Sequence, residues 1–134
     1  MADLNGDGKL DLAIGNQGSG TASILLGNGD GTFRTHVDYL APDSGGAGVA
    51  DFNQDGKLDL ILAGNVIDIL LGNGDGTFQA PLFFTTGSRP WGSLTADFNG
   101  DGRLDIANGN WNDGTVSVLL AQPVAVSPLK SRGD

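Results

Sequence analysis

Three segments of the chain carry oxygen-bearing side chains at one common spacing. Asp3, Asn5, Asp7 and Asp11 hold positions 1, 3, 5 and 9 of the first. Asp51, Asn53, Asp55 and Asp59 repeat them, and Asp97, Asn99, Asp101 and Asp105 repeat them again. Alternate residues of a tightly curled loop point inward, and the glycine after the third donor (Gly8, Gly56, Gly102) permits the bend. The backbone carbonyl at position 7, from Lys9, Lys57 or Arg103, adds a donor, with the basic side chain expected to point away. Hard oxygens in this number suit Ca²⁺ rather than zinc or copper, and a protein-rich cage of this kind disfavours the smaller, strictly octahedral Mg²⁺. Three carboxylates drawn to about 5 Å at an effective dielectric near 20 repel by roughly 3 kcal/mol per pair. A cation removes that repulsion, so the expectation is about three Ca²⁺, one per loop.

Rival calcium motifs separate by position. An EF-hand places a bidentate Glu at position 12, where this chain has Ile14, Leu62 and Asn108. Dockerin-type loops lead into helices, whereas these lead into Leu-Asp-Leu or Leu-Asp-Ile segments of strand character. Asn-Gly-Asp-Gly at 28–31 and 73–76 offers a second set of oxygens, but such sequences are first of all hairpin turns, because Asn and Gly tolerate positive φ.

The elements that must position these loops recur with them. The loop starts lie 48 and 46 residues apart, and a second block, Leu25 to Phe33, returns as Leu70 to Phe78. Its third copy degenerates into Leu119-Leu120-Ala121-Gln122-Pro123. Around the second loop the expected strands are A from Ala47 to Phe52, B from Leu58 to Ala63, C from Val66 to Leu71 and D from Phe78 to Phe84. The first strand D, Phe33 to Tyr39, alternates apolar and polar residues with period two. Four strands every 46 to 48 residues is the period of a β-propeller blade. The reading is an all-β chain of three four-stranded antiparallel repeats, about 1–46, 47–92 and 93–122. The first lacks most of its strand A and the third its strand D. A tail at 123–134, with Pro123 and Pro128, reads as linker and ends in Arg132-Gly133-Asp134.

Composition agrees. The 134 residues include 23 glycines, no cysteine and 16 acids against 7 bases, giving a net charge of −9; every acid is Asp. Asp and Gly belong to turns and metal loops rather than to helices. The acidity disfavours nucleic acid, whose phosphates need a basic stripe. No segment has the length of a membrane span. Nine of the 16 Asp sit in the three loops, so the charge is largely a count of sites.

The loop with Asp at position 9, set between two strands, resembles the FG-GAP/VCBS repeat of integrin α-subunit propellers and related bacterial proteins. The resemblance runs to about Gln122. It implies a β-propeller with one Ca²⁺ in the A–B hairpin loop of each blade, held by the twelve side chains given above. Phe-Gly and Gly-Ala-Pro signatures of the integrin type are not cleanly present, so the chain is closer to the bacterial branch.

In a meander the A–B and C–D turns share one end of the blade. The B–C turns and D–A links then form an opposite face, expected to hold Asn16, Gln17, Asn65, Arg89, Trp91, Trp111 and Asn112. Of these, Arg89, Trp91, Trp111 and Asn112 are the candidate contacts for a glycan or protein ligand, by stacking and hydrogen bonding. The competing reading wedges both tryptophans between blades as core. Catalysis is not expected: the single His36 lies between Arg34 and Asp38 on a polar strand face, and no nucleophile–base pair is evident. The function expected is a Ca²⁺-stabilised binding or adhesion module, extracellular or at the cell surface, with part of a polysaccharide lyase as the alternative. Since propellers close with about four to eight blades, three imply a homo-oligomer or a fragment of a longer propeller.

Overall fold

A computed structural model describes residues 1–42, 45–122 and 130–132. It is all-β, with eleven strands in three antiparallel sheets. Blade 1 is β1 (Leu12–Asn16), β2 (Thr21–Leu25) and β3 (Val37–Leu40). Blade 2 is β4 (Gly46–Ala50), β5 (Asp59–Ala63), β6 (Ile67–Leu70) and β7 (Leu82–Phe84). Blade 3 is β8 (Pro90–Ala96), β9 (Asp105–Asn110), β10 (Thr115–Leu120) and β11 (Lys130–Arg132). Each sheet is a meander in chain order, and the described residues form no closed ring.

Pairing fixes which blade positions correspond. Leu12 faces Leu25, Leu60 faces Leu70 and Ile106 faces Leu119 across the two middle strands of blades 1, 2 and 3. Successive side chains point to opposite sides of a strand, so each blade has a leading face toward its predecessor and a trailing face toward its successor. Leu60, Leu62 and Leu70 on the leading face of blade 2 pack with Ala22 and Ile24 on the trailing face of blade 1. Ile61, Ile67 and Ile69 on the trailing face of blade 2 pack with Ile106 and Leu119 of blade 3. Apart from Asp59 and Asp68, the two middle strands of blade 2 are apolar on both faces because a blade lies against each, the situation in which alternation disappears.

Three sequence expectations change. Strand D is shorter than its apolar pattern suggested: β7 begins at Leu82 rather than Phe78, and β3 at Val37 rather than Phe33. Phe33 and Phe78 instead make isolated bridges to Gly27 and Gly72. The Phe78 ring turns into the core, edge-on to Tyr39 at 5.6 Å, while Pro81, which has no N–H to give, sits just before the ladder starts. The boundary set at 92/93 falls inside β8, which begins at Pro90. The segment read as a tail supplies β11, whose Lys130, Ser131 and Arg132 pair with Leu120, Leu119 and Val118; blade 3 therefore has a fourth strand. Of the terminal tripeptide, Gly133 and Asp134 lie outside the described residues.

Candidate metal centre

The second and third Asp-rich loops join β4 to β5 and β8 to β9, the first runs from the Ala2–Asp11 bridge into β1, and the three share a hydrogen-bond scheme. In the first, the Asp3 carboxylate accepts the N–H groups of Gly6 (2.8 Å), Asp7 (3.1 Å) and Gly8 (2.8 Å). Asn5 Oδ1 accepts from Asp7 N at 3.0 Å, and Asp7 Oδ1 accepts from Lys9 N at 3.0 Å. Asp51, Asn53 and Asp55 repeat the bonds from the fifth, sixth and seventh N–H groups in the second loop, and Asp97, Asn99 and Asp101 repeat all five in the third. Short side chains whose oxygens reach the backbone one turn ahead curl the chain around themselves. The curl needs left-handed backbone at the sixth position, where Gly8, Gly56 and Gly102 have φ of 81°, 83° and 83°. The Gly8 N–H is the main reason, with those of Asp7 and Gly6, that Asp3 is a stronger acid than an ordinary Asp; Gly102 does the same for Asp97.

The ninth residue has a second role that its spacing did not show. Asp11 is fully buried, and its two oxygens accept from Leu4 N and Gly27 N, each at 2.8 Å. Asp59 spans Phe52 N (2.9 Å) and Gly72 N (2.8 Å), and Asp105 spans Phe98 N (2.9 Å) and Ala121 N (2.7 Å). One carboxylate thus ties the start of the loop to the residues just past β2, β6 or β10. Burial outweighs the two donors at Asp59 and raises its pKa. Each oxygen still has a further lone pair, since an ionised carboxylate offers about four acceptor sites. Among the described residues no three carboxylate or imidazole groups already converge as a cage; positions 1, 3 and 5 contribute two carboxylates and one amide per loop. As a donor set, these oxygens and the position-7 carbonyl suit a hard cation of variable coordination such as Ca²⁺.

The basic side chains at position 7 do not point away as expected. Lys9 Nζ lies 3.9 Å from Asp7 Oδ2, Lys57 Nζ 3.9 Å from Asp55 Oδ2, and an Arg103 nitrogen 3.6 Å from Asp101 Oδ2. The stems of Lys9 and Lys57 run across Gly29 and Gly74 of the neighbouring turn, 3.3 and 3.2 Å from where a Cβ would stand. In those turns Asp30 and Asp75 accept both the N–H and hydroxyl of Thr32 and Thr77, which accounts for them as turn formers. The loops also touch each other: Gln54 Nε2 donates to the Gly102 carbonyl across blades 2 and 3 at 2.6 Å. Gln54 holds φ of 61° where the other loops have Gly6 and Gly100.

At the opposite end, the turn Trp111 to Gly114 gathers the candidate ligand contacts. Trp111 N donates to the Arg89 carbonyl at 3.1 Å, and Asn112 reaches Ser88 by N–H and side-chain amide, each at 3.4 Å. Asp113 accepts from Ser88 N. Arg89, Trp91 and Trp111 line a cleft of about 280 Å³. Trp91 and Trp111 are 65% and 76% exposed, so neither is wedged between blades. A second cleft of about 330 Å³ runs between blades 2 and 3 and includes Gln17, Asn65, Arg89, Trp91 and Ser93; the Ser93 hydroxyl is buried there with no hydrogen-bond partner. Asn16, by contrast, is engaged internally by Thr21 and Ser23. His36 is exposed beside Asp38 at 3.7 Å.

The sequence model described as an FG-GAP-like repeat matches the chain twice, over residues 3–62 and 51–107. No curated protein matches, and no solved structure does.

Proposed function

From the premise that the chain belongs to the FG-GAP-like repeat family, we propose that it is a calcium-stabilised, propeller-type binding module working outside the cell or at its surface. The observation that supports this reading is the recurrence of one carboxylate–amide scheme in all three loops. Asp3, Asn5, Asp7, the Lys9 carbonyl and Asp11 would hold the first ion. Asp51, Asn53, Asp55, the Lys57 carbonyl and Asp59 would hold the second, and Asp97, Asn99, Asp101, the Arg103 carbonyl and Asp105 the third. Bound, the ion supplies charge compensation only: it lets the carboxylates of a loop stay ionised at close range. The position-5 carboxylate is already screened by its basic neighbour, and the position-9 carboxylate transmits order from the loop to the strand end it holds. At ten times its dissociation constant each ion adds about 1.4 kcal/mol, so three add roughly 4 kcal/mol. Extracellular calcium modules bind at about 10⁻⁴ to 10⁻³ M, above cytosolic supply, which favours the extracellular setting.

Recognition falls to Arg89, Trp91, Trp111 and Asn112, with a glycan or an exposed protein segment as ligand. Two exposed indoles beside a guanidinium stack on sugar rings and pair with acidic groups. Thermal unfolding with saturating Ca²⁺ and with EDTA tests the calcium role: a rise in Tm with Ca²⁺ is expected, and an unchanged Tm refutes it. Glycan-array binding that survives both Trp91→Ala and Trp111→Ala would remove the ligand assignment.

A further inference from the structure

Taking the ligand to be a glycan, as above, we propose that the cleft between blades 2 and 3 seats a uronic acid residue of it, with Arg89 on the sugar carboxylate. Both walls come from consecutive blades of one chain. Blade 2 supplies Gly45, Gly46 and Gly48, and blade 3 supplies Arg89, Trp91 and Ser93.

The blade 2 wall is kept empty. Gly45 and Gly46 have ordinary φ, and a Cβ on either would meet nothing within 4 Å. Neither backbone conformation nor packing calls for glycine there. At Gly48, by contrast, a Cβ would stand 2.9 Å from the Ile61 side chain. Gly46 pairs with Ala63 and Gly48 with Ile61, so both turn the same face toward blade 3. The cleft they border measures about 330 Å³, within the range of small-ligand sites.

The blade 3 wall has hydrogen-bonding capacity that the fold leaves unused. Ser93 and Asn108 are partners across β8 and β9. The Ser93 hydroxyl and Asn108 Oδ1 are both buried without a partner among the described residues, although Asn108 Nδ2 is held by Asn110 at 2.8 Å. The first can donate or accept, and the second only accepts. A sugar hydroxyl at the cleft floor, which donates and accepts at once, satisfies such a pair.

Charge selects the carboxylate. Among the described residues no Asp lines this cleft or the adjoining one, and Arg89 is the charged side chain in both. The chain as a whole stands at −9, so preference for an acid comes from contact with the guanidinium and not from the long-range field. Arg89 has φ of 57° immediately before Pro90, and its carbonyl accepts from Trp111 N at 3.1 Å. Left-handed backbone at a bulky residue persists where its surroundings impose it, and such residues cluster at ligand sites. Just beyond, the register shifts between Trp91 and Ser93, where Gly92 has φ of 66°; a bulge re-aims the side chains beside it. Trp91 borders both clefts and is 65% exposed, which leaves its ring free to stack on a pyranose.

Ligand-observed NMR titration of the full chain in calcium, with glucuronate and glucose as probes, tests the assignment. Glucuronate is expected to bind at least about tenfold tighter, the worth of one hydrogen bond to a charged group. Arg89→Gln is expected to bring the two sugars level. Ser93→Ala is expected to weaken both by about fivefold, one neutral hydrogen bond, with Tm unchanged or higher because the lost hydroxyl had no partner. Gly46→Val is expected to fill the cleft and abolish binding of both, again without loss of Tm. Equal affinities in the wild type overturn the proposal, as does a preference for glucuronate that survives Arg89→Gln. So does binding that persists in Gly46→Val or at full strength in Ser93→Ala. A lower Tm in Ser93→Ala overturns it too, since the hydroxyl would then serve the fold. Glucuronate that fails to bind while array glycans are bound overturns this assignment alone; an array on which nothing binds overturns the glycan reading with it.

Discussion

Replacing Asp68 by Asn tests the least comfortable residue of the fold. Asp68 lies in β6 at 0% exposure, and neither carboxylate oxygen has a hydrogen-bond partner. The equivalent residues of the other blades are Ser23 and Ser117, which accept from the side chains of Asn16 and Asn110 at 2.7 and 2.8 Å. Blade 2 has Gly64 at that Asn position, so the carboxylate lacks that donor. Burial pushes its pKa from 3.8 up to about 7. Below pH 3.8 both folded and unfolded chains hold the proton, and ionisation adds no cost. Between pH 3.8 and about 7 the unfolded chain has lost the proton that the folded one retains, so stability falls as pH rises. Three units at 1.36 kcal/mol each come to about 4 kcal/mol, reached near pH 7 and above. Asp68→Asn keeps the shape and removes the titration. Its stability relative to wild type is expected to improve by about 4 kcal/mol between pH 4 and pH 7.5. For a chain of this length that is roughly 12 °C in relative Tm. Thermal melts of both proteins in matched buffers cancel the carboxylates they share. Parallel Tm–pH curves over that interval would refute the reasoning, because they would mean that Asp68 ionises as it does in water.

Asp59→Ala leaves Phe52 N and Gly72 N without their acceptor. A loss of about 3 to 6 kcal/mol by denaturant unfolding is expected even in EDTA, at roughly 1.5–3 kcal/mol per bond to a charged group; a loss seen only with calcium present would make Asp59 a ligand and nothing more. Gln54→Ala keeps the left-handed backbone and deletes the bond to the Gly102 carbonyl, so it should cost about 1 kcal/mol. Gln54→Gly removes both the bond and about 1 kcal/mol of strain, and should be close to neutral; equal unfolding midpoints for the two variants would contradict this.

Much of the fold was legible because its signals are local. Donor spacing, the glycine that turns the loop and the 46- to 48-residue period are written into consecutive residues, and they suffice to place three blades and three loops. Strand ends were less legible, because Phe78 reads as strand by its place in the repeat, yet its ring packs edge-on against Tyr39 of another blade and the ladder starts only at Leu82. Weak pairing signals also hid β11, which has only three residues and no alternation to announce it.

By itself, then, the sequence determined the class, the repeat and the loop chemistry, since each depends on residues within one turn of one another. Tertiary structure decided what the same residue types do once burial and partners differ. Asp3 and Asp11 look alike in the motif; one is surrounded by loop N–H groups at the surface, while the other is enclosed and ties two strands together. Asp68 and Asp30 are equally acidic on paper; one is desolvated without a donor and the other held by Thr32. Trp91 and Trp111 could have been core, and only the position of blade 3 against its neighbour leaves them exposed beside Arg89. A carboxylate or an indole takes its character from the water and donors around it, and those are arranged by contacts between residues far apart in the chain.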